Sequence, residues 1–178
     1  MNRSYDNLKS LTYYNSYIPY VSFIFYENGN IKKKINFNSL GEKHGYFYKY
    51  RRNGTLLLKE HYFKNKKNGK SFYYFPDGKN IYKEISYKNG LKDGPYFIYH
   101  KNSEIVYQCN FYQNIPHGIY LKYKKKMEIK GFYYFGIKTY HIFSINKKIW
   151  KIRFIYFGRS YGIWSNILKE MKLKQILF

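Results

Sequence analysis

With 33 Lys and Arg against 10 Asp and Glu in 178 residues, the chain carries a formal charge of +23 and is long enough for one domain or one repeat array with a core. Its single cysteine, Cys109, excludes an internal disulfide framework and any multi-cysteine metal site. Aromatics make up 24% of the chain, with 25 Tyr and 15 Phe, and such rings favour strands over helices, so an all-β fold is expected. The charge has two readings. A positive field attracts nucleic acid, anionic lipid or an acidic protein. Lys, Asn, Tyr, Phe and Ile are also the residues of AT-rich codons, which produce the same bias without selection for binding.

Residues 1–16 are polar and rich in Tyr and Asn, and form either a disordered arm or an irregular edge strand. Asp6 sits where the apolar core of a signal peptide would begin, and the longest uncharged run, 10–26, is too short and polar to span a bilayer. The expectation is a soluble intracellular (cytoplasmic) protein, or a virion component if the AT-rich residue usage is that of a large DNA virus.

From Tyr20 onward the chain repeats itself. Gly45, Gly69, Gly94 and Gly118 open aromatic runs at intervals of 24, 25 and 24 residues. Tyr20 stands 25 residues before Gly45, and Tyr140 and Gly162 continue the series at intervals of 22. A fixed period in this range marks an array of supersecondary units. Each unit starts with a strand. Three residues after the opening position come Phe23, Tyr48, Phe72, Phe97, Leu121 and Phe143; five after it come Phe25, Tyr50, Tyr74, Tyr99, Tyr123, Ile145 and Ile167. Positions two apart share a strand face, so these predict one apolar stripe across the array, with Ile24, Lys49, Tyr73, Ile98, Lys122 and Ser144 on a wetter opposite face.

A turn follows at Asn28-Gly29, Asn53-Gly54 and Asp77-Gly78, dipeptides that supply the positive φ of tight hairpins. Asn102-Ser103 is a poorer version, and at Lys126-Met127 the signal is gone. Return strands then end at Phe37, Phe63, Tyr87, Tyr112, Tyr134 and Tyr156, and loops such as Lys67-Asn68-Gly69 lead to the next unit. A lone hairpin is marginal in water, so the units must pair side by side into a long antiparallel sheet. In 166–178 a basic amphipathic segment predicts a short C-terminal helix; it either caps the open sheet edge, the preferred reading, or docks a partner.

The run Gly41-Glu42-Lys43-His44-Gly45-Tyr46-Phe47-Tyr48 resembles the MORN repeat. The longer period and the pattern N-G…K-E-x-x-Y-x-N-G are more similar to the MORN variant of the bacterial YwqK-like antitoxin proteins. The resemblance is best over residues 39–118, with weaker units on either side, and gives an array of about six hairpin repeats over 17–165. It implies an elongated, twisted single sheet used for scaffolding, dimerisation or phospholipid binding, and no catalysis. The Trp usual after the opening Gly is absent here, and the last units lose their glycines.

Candidate chemistry is sparse. His44 and His117 share a slot with Asn68 and Asp93, which reads as a turn position; His61, His100 and His141 lie beside no ligand partner. Glu60 and Glu84 stand at one repeat position beside Lys59 and Lys83, and read as cross-strand partners of Lys or Arg. Cys109 takes the same slot as a packing residue. No enzyme, cofactor, metal or small-molecule substrate is expected. The structural positions of the repeat are Gly45, Tyr50, Gly54, Gly69, Tyr74, Gly78, Gly94, Tyr99, Gly118 and Tyr123.

The sharper binding signal is basic. Lys32, Lys33, Lys34, Arg51, Arg52, Lys64, Lys66, Lys67, Lys124, Lys125, Lys126, Lys147 and Lys148 cluster where hairpin tips and loops are expected, and stacked repeats would align them into a basic edge. Tyr46 and Tyr73, taken as wet-face rings, would stack on bases. The leading expectation is a non-enzymatic scaffold or interaction module that binds a protein or a second copy. The alternatives are a basic binder of nucleic acid or anionic lipid, and an antitoxin-like inhibitor.

Overall fold

The computed structural model describes residues 9–124, 126–145, 148–156 and 159–164. The described residues hold fifteen strands and no helix, so none is available that is long and apolar enough to cross a membrane. The strands are β1 (Ser10–Asn15), β2 (Ile18–Phe25), β3 (Ile31–Asn36), β4 (Gly45–Tyr50), β5 (Leu56–Phe63), β6 (Lys66–Lys67), β7 (Gly69–Tyr74) and β8 (Ile81–Lys88). They continue as β9 (Leu91–Tyr99), β10 (Ile105–Tyr112), β11 (Ile115–Lys124), β12 (Met127–Tyr134), β13 (Ile137–Ile145), β14 (Lys148–Tyr156) and β15 (Arg159–Trp164). All belong to one open antiparallel sheet in which each strand pairs with its chain neighbours, β6 and β7 both lying against β5. Among the described residues the sheet begins at Ser10, so β1 extends it beyond residue 17; the expected C-terminal helix lies outside the described residues.

The two margins of the sheet are built differently. On one, the strands are joined by three-residue loops at 27–29, 52–54 and 101–103 and a four-residue loop at 76–79, closed by Tyr26, Arg51, Phe75 and His100 N–H groups donating to Asn30, Thr55, Asn80 and Glu104 carbonyls. The expected Asn28-Gly29, Asn53-Gly54 and Asp77-Gly78 pairs lie in these loops, not in two-residue turns. Asn28, Asn53, Asp77 and Asn102 accept through the side chain from a backbone N–H two residues on, while Gly29, Gly54, Gly78 and Ser103 take the positive φ. Asn102-Ser103 is thus a full version of the loop, with φ 66° at Ser103. After each loop the return strand carries one extra residue, at Lys32, Leu57, Tyr82 and Val106.

On the other margin sit the tight two-residue turns. Lys64-Asn65, Asn89-Gly90, Gln113-Asn114 and Phe135-Gly136 each have positive φ at both residues. Every one is tied to the previous hairpin. Asn65 N–H donates to Lys43 O and Lys43 N–H donates to Asn65 Oδ1; Asn114 and Lys92 repeat the exchange. Gly90 and Gly136 donate to the carbonyls of Lys67 and Pro116. His44, Asn68, Asp93 and His117 do not occupy turns. Each precedes a positive-φ glycine at a break in the pairing register.

Register fixes the faces. Phe23, Lys34, Tyr48, Lys59, Phe72, Glu84, Phe97, Gln108, Leu121, Lys130, Ile142 and Ile152 form one continuous cross-strand row. This is the expected stripe, half-buried, with a polar stem between successive apolar side chains until Ile142. Phe143 is a correction: β13 has one extra residue at its register break where earlier units have two, so Phe143 points to the other face and Ile142 takes its place. The face expected to be wetter buries more. Glu60, Ser71, Ile85, Cys109 and Tyr120 lie on it at 1–5% exposure, whereas the stripe face buries Glu84 and Ile152. In a one-layer sheet only neighbours on the same face can cover a side chain, and here long Tyr and Lys side chains close over small residues.

Candidate interaction surfaces

Glu60 and Glu84 do not share a slot. The loop at 76–79 is one residue longer than the one at 52–54, so Ile85 and Cys109 are the equivalents of Glu60, and Glu84 faces the opposite side. Glu60 is buried against the Lys67 ammonium at 2.5 Å and the Tyr62 hydroxyl at 3.1 Å. Burial lowers Lys67, but its hydrogen bond and charge contact with Glu60 outweigh this and leave it raised. Burial, then the Glu60 charge, pushes the Tyr62 phenol up to about 12. Glu84 pairs with Lys70 at 2.8 Å, a more open contact, and with the Tyr99 hydroxyl at 3.4 Å. Cys109 is buried, which holds its thiol in the protonated form.

The expected basic residues do not form one edge. Lys32, Lys33 and Lys34 run along β3, with Lys32 over the Tyr26 ring at 5.4 Å and Lys34 over Phe23 at 5.7 Å. Arg51 is a structural donor, to Leu56 O at 2.8 Å and Tyr74 O at 2.5 Å. Arg52 is exposed beside it and pairs with Glu27 at 3.3 Å. Lys124, Lys126 and Lys148 are exposed on the loop margin, while Lys64, Lys66 and Lys67 belong to the turn margin. Lys125 and Lys147 lie outside the described residues.

Many lysines instead lie over rings, a use the sequence reading missed. Lys43, Lys67 and Lys92 occupy equivalent positions two residues before the opening glycines. They sit 5.8, 5.0 and 5.0 Å from the Tyr62, Tyr87 and Phe111 ring centres. Lys59 covers Tyr46 at 4.2 Å and Lys83 covers Tyr73 at 4.0 Å. Each such contact contributes about 0.5–1 kcal/mol at an exposed site. Tyr46 and Tyr73 lie on opposite faces, each under an ammonium group, so they do not make the shared base-stacking platform expected of them. The K-x-G spacing carried this signal, since it recurs with the repeat.

The other surface missed by the sequence reading is apolar. Four successive hairpins end at the turn margin in cross-strand pairs on the stripe face: Phe63 with Lys66, Lys88 with Leu91, Tyr112 with Ile115, and Tyr134 with Ile137. All eight are exposed, up to 59% for Tyr134 and 67% for Ile137. His44 packs on Phe63 and His117 on Phe135 along the same margin, at ring distances of 5.1 and 4.7 Å. The tendency of return strands to end in Phe or Tyr was visible in sequence; that these ends stay uncovered was not.

Among the described residues no group of three His, Cys, Asp or Glu side chains is placed to hold a metal ion. The chain matches no protein-family model, and no curated protein matches it.

Proposed function

We propose that the protein is a non-enzymatic β-repeat scaffold whose turn margin docks a protein partner. The observation that carries this reading is the row of exposed apolar side chains on the stripe face, ending at Ile137. A one-layer sheet has no second layer to cover such a row, and contiguous exposed apolar surface marks interaction sites. The MORN-like resemblance supports the same reading.

A second reading is favoured by Arg52, Lys101, Lys124, Lys126 and Lys148, all exposed on the loop margin. They suit an anionic polymer or surface. Anisotropy of a labelled mixed-sequence DNA duplex, titrated at low and high salt, separates the two. Weak or absent binding at low salt supports the scaffold reading; tight binding that collapses with salt supports the anionic one. Affinity capture from the source cell, repeated with Tyr134→Ser and Ile137→Ser, completes the test. The scaffold reading expects a stoichiometric partner, retained at high salt and lost with the variants.

A further inference from the structure

We infer that the occupant of the turn margin is an acidic, extended polypeptide segment carrying an apolar side chain at about every third residue. The inference rests on the scaffold reading and names its partner by chemistry.

Spacing comes first. The exposed pairs at Phe63/Lys66, Lys88/Leu91, Tyr112/Ile115 and Tyr134/Ile137 recur once per hairpin. Two strands occupy about 9.6 Å across a sheet. Three residues of extended chain cover about 10 Å, and one turn of polyproline II about 9.3 Å. A segment laid across the strand ends therefore presents an anchor to each hairpin in step.

Charge decides between occupants. The chain carries +23, so a second copy meets a repelling field, while an acidic segment is attracted. Lys66 and Lys88 stand exposed within the row itself, and Lys64 beside it. The acidic side chains nearby are half-buried: Glu42 accepts from the Asn38 side chain, and Asp93 lies in β9. Nucleic acid fits this margin less well than peptide, because exposed Leu91, Ile115 and Ile137 have no part in phosphate recognition. The gradient along the row, from lysine-apolar pairs to fully apolar ones, gives the segment a direction. Its acidic end lies by Lys66 and its more apolar end by Ile137.

The test uses the full chain and synthetic labelled peptides of about fifteen residues, read by anisotropy. One repeats Leu-Glu-Pro, a second repeats Ser-Glu-Pro, and a third scrambles the first to break the three-residue spacing. The spaced Leu peptide is expected to bind at least about tenfold tighter than the Ser peptide, since one well-buried apolar side chain alone is worth that factor. It is also expected to beat the scrambled peptide and to lose about tenfold on Tyr134→Ser with Ile137→Ser. Equal affinity for Leu and Ser peptides overturns the inference without using any variant. Leu-peptide binding that ignores the margin substitutions also overturns it, while leaving a scaffold with its site elsewhere. No peptide binding beside tight, salt-sensitive DNA binding defeats the inference and the scaffold reading together.

Discussion

The Tyr120 hydroxyl lies 2.8 Å from Nδ1 of His141, two strands away, with the ring laid across Gly131 between them. Tyr120 is 2% exposed, and a Cβ added at Gly131 would stand 2.5 Å from three atoms of its ring. Gly131 is therefore a packing glycine, with the neighbouring aromatic supplying the cover its missing side chain cannot. Gly131→Ala is expected to cost about 1–3 kcal/mol by overpacking. Tyr120→Phe, which keeps the ring and loses the hydrogen bond, should cost about 1 kcal/mol. Urea unfolding measures both; an alanine variant as stable as the parent would contradict this packing.

Burial, with Lys138 and Arg153 nearby, holds the His141 imidazole below its ordinary value. As pH falls, the unfolded chain takes up this proton before the folded one. The stability involved is fully present above about pH 6.5, the unfolded value, and is lost as pH drops through the folded value. The urea midpoint should fall between about pH 7.5 and 5 more steeply in the parent than in His141→Gln. Parallel profiles would remove His141 from the explanation.

Glu60 and Lys67 test the register argument. Removing one member of a buried pair strands the other, so Glu60→Ala should cost about 2 kcal/mol or more. The structural equivalents of Glu60 are Ile85 and Cys109, both buried. The double change Glu60→Ile with Lys67→Met should therefore return to within about 1 kcal/mol of the parent. Glu84→Ala should cost less than Glu60→Ala, because Lys70 is 60% exposed and remains solvated.

Arg51 and Arg52 are adjacent and should behave oppositely. Arg51→Ala frees the Leu56 and Tyr74 carbonyls and should cost about 1–3 kcal/mol. Arg52→Ala loses an exposed pair with Glu27 and should change stability by about 0.5 kcal/mol or less. If the loop margin binds an anion, Arg52→Ala is the change that weakens binding without touching the melt.

The single sheet, its hairpins and the stripe from Phe23 to Leu121 were legible because glycine spacing and two-residue alternation are local signals. Faces were misread where one residue decides parity. The extra residue in the 76–79 loop moved Glu84 out of the Glu60 slot, and the shorter register break in β13 turned Phe143 over. Asn-Gly pairs suit both two-residue turns and three-residue loops, so the dipeptide alone could not choose; closure of Arg51 on Thr55 did. The tight turns hid behind Lys64-Asn65 and Gln113-Asn114, which have no glycine. Basic runs read as tips proved to be β3 and β6, because lysine stems lie well on neighbouring rings.

Neighbour-only pairing also sets how the molecule answers to tension. The described chain starts on one outer strand of the sheet, β1, and finishes on the other, β15. A pull on these two ends acts across the strands, along the hydrogen bonds, and loads them one pair at a time. The array should then peel from its ends hairpin by hairpin, each step releasing a similar length of chain. Single-molecule pulling would record a train of low, evenly spaced rips; one high-force rupture of the whole sheet would mean that the hairpins yield together.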